Sequence, residues 1–132
     1  MTLVRHGTSS GPGGQPLPFA RAVEADGWLW VSGQVPLRDG EMVAGGIVPQ
    51  ARQAIANLVA ILHEGGYRVE DVVRVGVWLD DARDFAAFNA VYAETFGAAP
   101  PARACVQSSL VVDAKVEIDC VAFRPDNREL KA

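Results

Sequence analysis

The sequence predicts an α+β domain in which two helices pack on one face of a mixed β-sheet. Two amphipathic segments, residues 48–64 and 82–96, have helical spacing, and β-branched runs precede, separate and follow them. The resulting order is two or three strands, a helix, a strand, a helix and two strands. With 132 residues, of which 49% are hydrophobic, the chain can bury a core as a single domain, residues 1–132, without disulfide bonds.

The first two strands are predicted by the dipeptide Asp26-Gly27, which joins strand-like runs at residues 20–25 and 28–32. Asp-Gly favours a type I′ hairpin, because both central residues of that turn need a positive φ. Residues 38–41, Arg-Asp-Gly-Glu, indicate a second turn.

Two segments lack the periodicity of a helix or a strand. Residues 7–18 are rich in Gly, Pro and Ser and predict an irregular loop. Residues 125–132 are mostly polar and predict a tail. No repeat or linker divides the sequence between these two segments.

Each helix is predicted by apolar side chains at spacings of three and four residues, which places them on one helical face. Gly65-Gly66 ends the first helix, and Asp81 is a suitable N-cap for the second. The apolar positions are Ala51, Ile55, Leu58 and Leu62 in the first helix and Phe85, Phe88, Tyr92 and Phe96 in the second.

Alternation assigns the faces of the last two strands, residues 102–110 and 115–123. In the second of them, the apolar even-numbered set should meet the helices, which leaves Glu117 on the opposite face. The same reasoning turns Ala104 and Val106 towards the helices, so that Arg103 and Cys105 share the outer face with Glu117. Cys105 and Cys120 would then lie on opposite faces, which argues against a disulfide bond between them.

The strand at residues 71–79 has large apolar side chains on both faces, with Val72 and Trp78 on one and Val73, Val75, Val77 and Leu79 on the other. Such a strand is usually buried on both faces. Two helices cover only one of them, so a second copy of the chain is the natural cover for the other. The sequence therefore predicts a homo-oligomer.

Composition excludes several functional classes. The net charge of −4 and the pI near 5.1 disfavour nucleic acid as a main partner. No apolar run is long enough for a membrane helix, and no secretory signal is visible, so we expect a cytoplasmic protein. Two cysteines and two histidines, without CxxC or closely spaced histidines, predict no zinc site.

Five short stretches together resemble the RidA/YjgF family, the reactive-intermediate (enamine/imine) deaminases. The most specific are Pro-Ala-Arg-Ala-Cys-Val at residues 101–106 and Val-Glu-Ile at residues 116–118. The others, in the order that the family has, are residues 31–36, residues 50–54 with Asn57-Leu58, and residues 88–92.

The resemblance implies a chorismate-mutase-like fold and a homotrimer, a trimeric barrel with active sites in clefts between subunits. It also implies hydrolysis of reactive 2-imino or 2-amino-enoic acids, such as 2-aminoacrylate/2-iminopropanoate and 2-iminobutanoate, to 2-oxo acids and ammonia. Their removal protects pyridoxal-phosphate enzymes. Neither a metal nor an organic cofactor is implied.

The resemblance assigns roles residue by residue. Arg103 matches the arginine that binds the substrate carboxylate, and Glu117 matches the glutamate that positions or activates water. Phe19 stands where the family often has a tyrosine, and it brings no hydroxyl; Gln107 stands where an acidic residue is common. Further matches to residues that line the cleft are Ser32, Gly33, Asn89 and Cys105.

Two other functions stay open on the sequence. Some relatives of this family have been called ribonucleases, although the acidic pI and the lack of a catalytic histidine pair count against RNA cleavage. A non-catalytic trimer that binds a metabolite or a partner is the other alternative, because one fold hosts several functions. Taken alone, Arg103 would be read as one half of an interfacial salt bridge.

Overall fold

The computed structural model describes residues 2–124, and it has the predicted architecture, a six-stranded mixed sheet with two helices on one face. The tail at residues 125–132 lies outside the described residues. The helices are α1 (Ile47–Glu64) and α2 (Phe85–Phe96), with 3₁₀ turns at Pro12–Gly14, Val69–Asp71 and Ala82–Asp84. The strands are β1 (Val4–Arg5), β2 (Thr8–Ser10), β3 (Pro16–Ala20), β4 (Ala22–Ala25), β5 (Trp28–Gln34), β6 (Leu37–Arg38), β7 (Glu41–Met42), β8 (Val72–Leu79), β9 (Ala102–Gln107) and β10 (Val116–Phe123).

The main sheet has the strand order β1-β4-β5-β10-β8-β9. Its pairings are antiparallel except that of β8 with β9, which is parallel. A parallel pair needs a crossover, and α2 supplies it between β8 and β9. The last strand, β10, lies inside the sheet between β5 and β8, and β9 forms one edge.

The predicted irregular loop at residues 7–18 contains a small antiparallel ribbon, so the loop prediction was wrong. Strands β2 and β3 pair with each other and form a separate two-stranded sheet. The glycine content suggested a loop, but Gly13 and Gly14 lie in the turn between the two strands, with φ values of 83° and 84°. Pro16 and Pro18 are tolerated in β3 because a two-stranded ribbon leaves each strand with a free edge.

Both turns predicted from Asp-Gly are confirmed. Asp26 and Gly27 have φ values of 51° and 84° between β4 and β5, as a type I′ turn requires. Asp39 and Gly40 have φ values of 54° and 80° between the short strands β6 and β7.

The apolar face of α1 is buried as predicted, but α2 departs from its prediction at its start. Residues Ala82–Asp84 form a 3₁₀ turn, with Asp81 accepting a hydrogen bond from the backbone of Arg83, and the α-helix begins only at Phe85. The Phe85 ring is 46% exposed, whereas Phe88, Tyr92 and Phe96 are buried. The first turn of α2 lies beside the edge strand β9, where the core ends. Within residues 2–124, no helix combines the length and apolarity needed to cross a membrane.

The faces of β10 are as predicted, but those of β9 are reversed. The even-numbered residues 116–122 of β10 are fully buried under the helices. In the parallel pair, Arg103 lies beside Val75 and Cys105 beside Val77, two positions of β8 that face the helices. Arg103 and Cys105 therefore point towards α2. The faces of β9 were assigned wrongly because Arg103 was taken as a polar side chain that points away from the core. A guanidinium can also pack on aromatic rings, as it does here.

The two cysteines share the helix-facing side of the sheet, so the predicted reason for the absence of a disulfide was also wrong. Both are free thiols all the same. Strand β8 separates β9 from β10, and two strand spacings, roughly 9.5 Å, exceed the reach of a disulfide.

The face of the sheet opposite the helices is apolar over β5, β9 and the end of β10, while Arg74, Glu117 and Asp119 lie on the same face near its centre. Trp28 and Trp30 are 38% and 47% exposed there, and Val106 is 49% exposed. Val72 and Val73 exchange the faces predicted for them, because the pairing of β8 with β10 shifts by one residue at this point. In a single chain the exposed apolar side chains of this face are in contact with water. The homo-oligomer, predicted from the two apolar faces of residues 71–79, stays a prediction.

The Asp26-Gly27 turn gives a test of the fold. A β-carbon at Gly27 would lie 2.6 Å from the Arg124 carbonyl oxygen, whereas one at Gly14, which has the same φ of 84°, would meet nothing within 4 Å. We expect Gly14→Ala to cost about 1–2 kcal/mol in free energy of unfolding from backbone strain alone. Gly27→Ala should cost at least about 1 kcal/mol more, because the backbone must also shift. Urea unfolding at a fixed protein concentration measures both, and equal losses would contradict the close packing of this turn.

Candidate active site

An open cleft of about 880 Å³ lies between the β2–β3 ribbon, the end of β5 and the start of β10. Four of the residues singled out from the sequence line it: Phe19, Ser32, Gly33 and Glu117. Phe19 is 47% exposed, so its ring is available to a molecule in the cleft. We refer to this set as the cleft half-site.

The approach of β5 to β10 is what brings Glu117 into the cleft. Ile118 pairs with Gln34 and Cys120 with Val31, so Ser32 and Gly33 bulge opposite a single residue of β10. A β-carbon at Gly33 would overlap the Glu117 carboxylate, so a larger residue here would displace that side chain from its present position. Ser32 donates its hydroxyl to the Ala20 carbonyl oxygen at 2.7 Å, which ties β5 to the ribbon.

The Glu117 carboxyl is set up to accept a proton. Burial raises its pKa above the usual range, and the neighbouring charge of Asp119 raises it further. Among residues 2–124, no side chain forms an ion pair with Glu117 and no group donates a hydrogen bond to it. The carboxylate is therefore more basic than usual and remains available to a bound molecule.

The other singled-out residues lie on the opposite side of the sheet, at the edge formed by β9 and α2. The Arg103 guanidinium carbon is 4.6 Å from the centre of the Tyr92 ring and 5.8 Å from those of Phe85 and Phe88. Asn89, on the same helix, has a buried Oδ1 that accepts no hydrogen bond within the described chain. We refer to Arg103, Asn89 and Cys105 as the arginine half-site.

Arg103 itself forms no ion pair with any acidic side chain between residues 2 and 124. Within the described part of one chain, Arg103 therefore does not form the salt bridge that its sequence position alone would suggest. A partly buried guanidinium without an acidic partner can bind a carboxylate through two parallel hydrogen bonds.

Cys105 is half-buried against the core, and its thiol is not activated. Burial raises the pKa of the thiol, and the charge of Arg103 offsets this only in part. At neutral pH the thiol is therefore protonated. This suits a residue that lines a pocket better than a nucleophile.

One chain does not unite the two half-sites, which corrects the prediction that Arg103, Cys105 and Glu117 share a face. Glu117 pairs with Trp78 on the outer face of β8, whereas Arg103 pairs with Val75 on the helix face. Within the described residues, no cluster of three or more His, Cys, Asp and Glu side chains could hold a metal ion.

Two polar side chains that sequence reasoning did not single out as site residues support the cleft wall and α2. Asn57 donates its amide to the carbonyl oxygens of Val35 at 3.0 Å and Leu37 at 2.9 Å, which fixes the chain between β5 and β6. Gln107 accepts a hydrogen bond from the Ala82 backbone at 2.6 Å and so holds the 3₁₀ turn before α2 to β9. Neither role has a local signal, because each depends on a partner 20 or more residues away.

Comparisons with known proteins agree with this geometry. The family model described as Endoribonuclease L-PSP matches residues 15–124. A RutC family protein of Pyrococcus horikoshii is 43% identical over 110 residues, which are 81% of this chain and 87% of that protein. The crystal structure of the YjgF gene product of E. coli has a TM-score of 0.82 at 33% identity, covering 92% of this chain and 99% of that one. That of E. coli TdcF with bound serine has a TM-score of 0.79 at 32% identity, covering 92% and 94%.

The raised pKa of Cys105 gives a test of the arginine half-site. In a Cys120→Ala variant, iodoacetamide should alkylate Cys105 with a pH midpoint above that of the same cysteine in the unfolded chain, because burial disfavours the thiolate. Adding Arg103→Ala should raise the midpoint further, since it removes the one charge that favours the thiolate. The measurement is the rate of alkylation of Cys105 between about pH 6 and 10, with denatured protein as the control. A midpoint below that of the unfolded chain would indicate an activated nucleophile.

Proposed function

Because the chain belongs to the RidA/YjgF (L-PSP) family, we propose that it hydrolyses reactive 2-imino and 2-amino-enoic acids to 2-oxo acids and ammonia. The observation that carries the proposal is the pair of half-sites, a guanidinium without an acidic partner and a carboxyl of raised pKa. Removal of such intermediates would protect the pyridoxal-phosphate enzymes that release them. The cytoplasm stays the predicted compartment.

The arginine half-site would bind the substrate carboxylate. A guanidinium fork matches a carboxylate in geometry and charge, and Asn89, on the helix that carries the rings beside Arg103, offers a buried Oδ1 as an acceptor for the N–H of an imine or amine. E. coli TdcF, which is similar to 92% of this chain, was crystallised with bound serine, an α-amino acid with a carboxylate. A ligand of that class fits the proposal for this chain.

The cleft half-site would supply the base. Glu117 would accept a proton from water as its oxygen bonds to the imine carbon and the C=N bond becomes single. The same carboxyl would pass that proton to the nitrogen, which gives a neutral carbinolamine. The carboxylate would then take the carbinol O–H proton and transfer it to the amine as the C–N bond breaks, so that ammonia leaves and the carbinol oxygen becomes the 2-oxo group. A carboxyl whose pKa is raised by burial is a stronger base when ionised and is suited to these transfers.

The substrate can meet both half-sites only if they come from different copies of the chain. We propose a homotrimer in which the β9–α2 edge of one copy closes the cleft of the next. A ring of this kind repeats one heterologous contact three times. The apolar outer face with Trp28 and Trp30 supplies a surface for burial between copies, as a trimeric barrel requires.

The remaining residues would shape the pocket. Ser32 and Gly33 would form its floor beside Glu117, and Cys105 would line the side that carries Arg103. Phe19 would contribute a ring without a hydroxyl, so it contacts the apolar part of a substrate and donates no hydrogen bond.

RNA cleavage is a second candidate function, favoured by the description Endoribonuclease L-PSP that the family model carries. Its weakness is chemical, since neither His6 nor His63 lines the cleft and the net charge is −4. A ribonuclease assay of purified Arg103→Ala protein tests this candidate. Cleavage by the chain itself should respond to the substitution, whereas cleavage by a contaminating nuclease would persist in this variant. A non-catalytic binding trimer would retain ligand affinity without turnover.

The role of Arg103 is tested by an assay of imine hydrolysis. An amino-acid oxidase generates 2-imino acids in situ, and semicarbazide traps whatever imine the protein has not hydrolysed. Arg103→Ala should lower hydrolysis by about 30- to 1000-fold, because a charge-assisted anchor for the carboxylate is lost. Arg103→Lys should restore little of it, since an ammonium lacks the planar fork. Equal activity of Arg103→Ala and the unmodified protein would refute the carboxylate role.

The division of the site between copies is tested by mixing two variants. Arg103→Ala and Glu117→Gln proteins should each be nearly inactive as trimers. Refolded together in equal amounts, they should regain about one quarter of the normal activity, since a quarter of the contacts then join an intact Glu117 to an intact Arg103. Light scattering should give three chains per particle. A monomer, or no recovery on mixing, would contradict the shared site.

A further inference from the structure

Three rings of α2 surround the guanidinium of Arg103, and we call Phe85, Phe88 and Tyr92 the aromatic cradle. They are spaced by three and four residues, so they lie on one face of the helix. Tyr92 is the nearest, at 4.6 Å from its ring centre to the guanidinium carbon. Distances of this size allow cation–π attraction from each ring.

The cradle is held firmly on its core side. Tyr92 is 8% exposed and packs against Phe88 at 5.7 Å and Phe96 at 4.7 Å between ring centres. Phe88 and Phe96 are fully buried. Core packing therefore fixes the rings of Phe88 and Tyr92 without any contact from a bound molecule, whereas Phe85 lies at the exposed end of the cradle.

Aromatic rings hold a guanidinium in a different way from a carboxylate. An acidic partner would fix Arg103 but would occupy the N–H groups that a substrate carboxylate needs. The rings act on the face of the guanidinium and leave its in-plane N–H groups free. Burial raises the pKa of the Tyr92 hydroxyl, although the charge of Arg103 and its contact with the hydroxyl act in the opposite direction, so the hydroxyl stays neutral and does not compete as an anion.

We propose that the aromatic cradle positions Arg103, holding its guanidinium uncommitted and oriented to receive a substrate carboxylate. Phe85, Phe88 and Tyr92 are thus positioning residues that act through Arg103. The inference rests on the proposed function only in taking Arg103 as the carboxylate anchor. It adds the reason why this arginine can serve as one without an acidic neighbour.

The test measures carboxylate binding directly, with 2-oxobutanoate as the probe in titration calorimetry, beside imine hydrolysis by the same protein. Tyr92→Leu should weaken binding of the probe about 10-fold and raise KM similarly, with a smaller change in kcat, because the anchor loses its orientation. Tyr92→Phe keeps the ring and should stay within about two-fold. Phe96→Leu is the matched control, since Phe96 packs against Tyr92 but is absent from the cradle: it should lower thermal stability and leave affinity unchanged.

The Phe85→Leu variant and an Arg103→Ala background test the positioning role independently of Tyr92→Leu. Phe85→Leu alters an exposed ring, so it should fold normally and weaken binding about three-fold even if Tyr92→Leu fails to fold. In an Arg103→Ala background, Tyr92→Leu and Phe85→Leu should have no further effect, because their action passes through Arg103.

The outcomes separate the two proposals. Cradle-dependent binding of 2-oxobutanoate without imine hydrolysis would reject the proposed reaction and support the positioning role. Imine hydrolysis with unchanged affinity in Tyr92→Leu and Phe85→Leu would overturn the positioning role alone. Equal losses with and without Arg103 would overturn it as well, and so would an unmodified protein that binds no 2-oxobutanoate.

Discussion

The parallel pairing of β9 with β8 is the constraint on which the rest of the structure depends. It requires a crossover, which places α2 over the edge of the sheet. Its register sets Arg103 beside Val75, a core position, and so turns the guanidinium towards α2. The antiparallel pairing of β10 with β8 sets Glu117 beside Trp78 on the opposite face. Two ladders that share one strand therefore separate the two groups on which the proposed chemistry depends.

Each half-site is prepared by a different physical means. In the cleft, a bulge and the missing side chain of Gly33 allow β5 to approach Glu117, and the burial that follows raises the pKa of its carboxyl. At the sheet edge, neutral aromatic rings rather than an acid hold Arg103. In both places the polar group is held by the fold but has no ionic partner among residues 2–124, which costs stability unless a bound molecule supplies one.

Under the proposed trimer, the apolar outer face and the divided site are consequences of one arrangement. Trp28 and Trp30 would be costly to expose on a monomer, and burial between copies removes that cost. The same contact would bring Arg103 of one copy to Glu117 of another. Activity would then depend on assembly, so a lone chain that has released its partners would be inactive.

Local signals in the sequence determined much of the fold. The Asp26-Gly27 turn, the apolar face of α1 and the alternation of β10 were predicted correctly, because each depends on backbone preference or on a periodicity within one element. Arg103 and Glu117 were selected as site residues through motifs that lie within single strands.

Only the tertiary structure decided how those pieces face one another. The face of β9 was misassigned because Arg103 packs on rings supplied by α2, a partner that alternation within β9 does not reveal. Phe85 was expected in the core, but the end of the sheet at β9 leaves it exposed. The β2–β3 ribbon was missed because its glycines and prolines serve a turn and free edges that exist only once the strands pair. Residue types and hydrophobic periodicity are local properties of the sequence. The side of the sheet on which a side chain lies depends instead on the register of its strand with a strand distant in sequence.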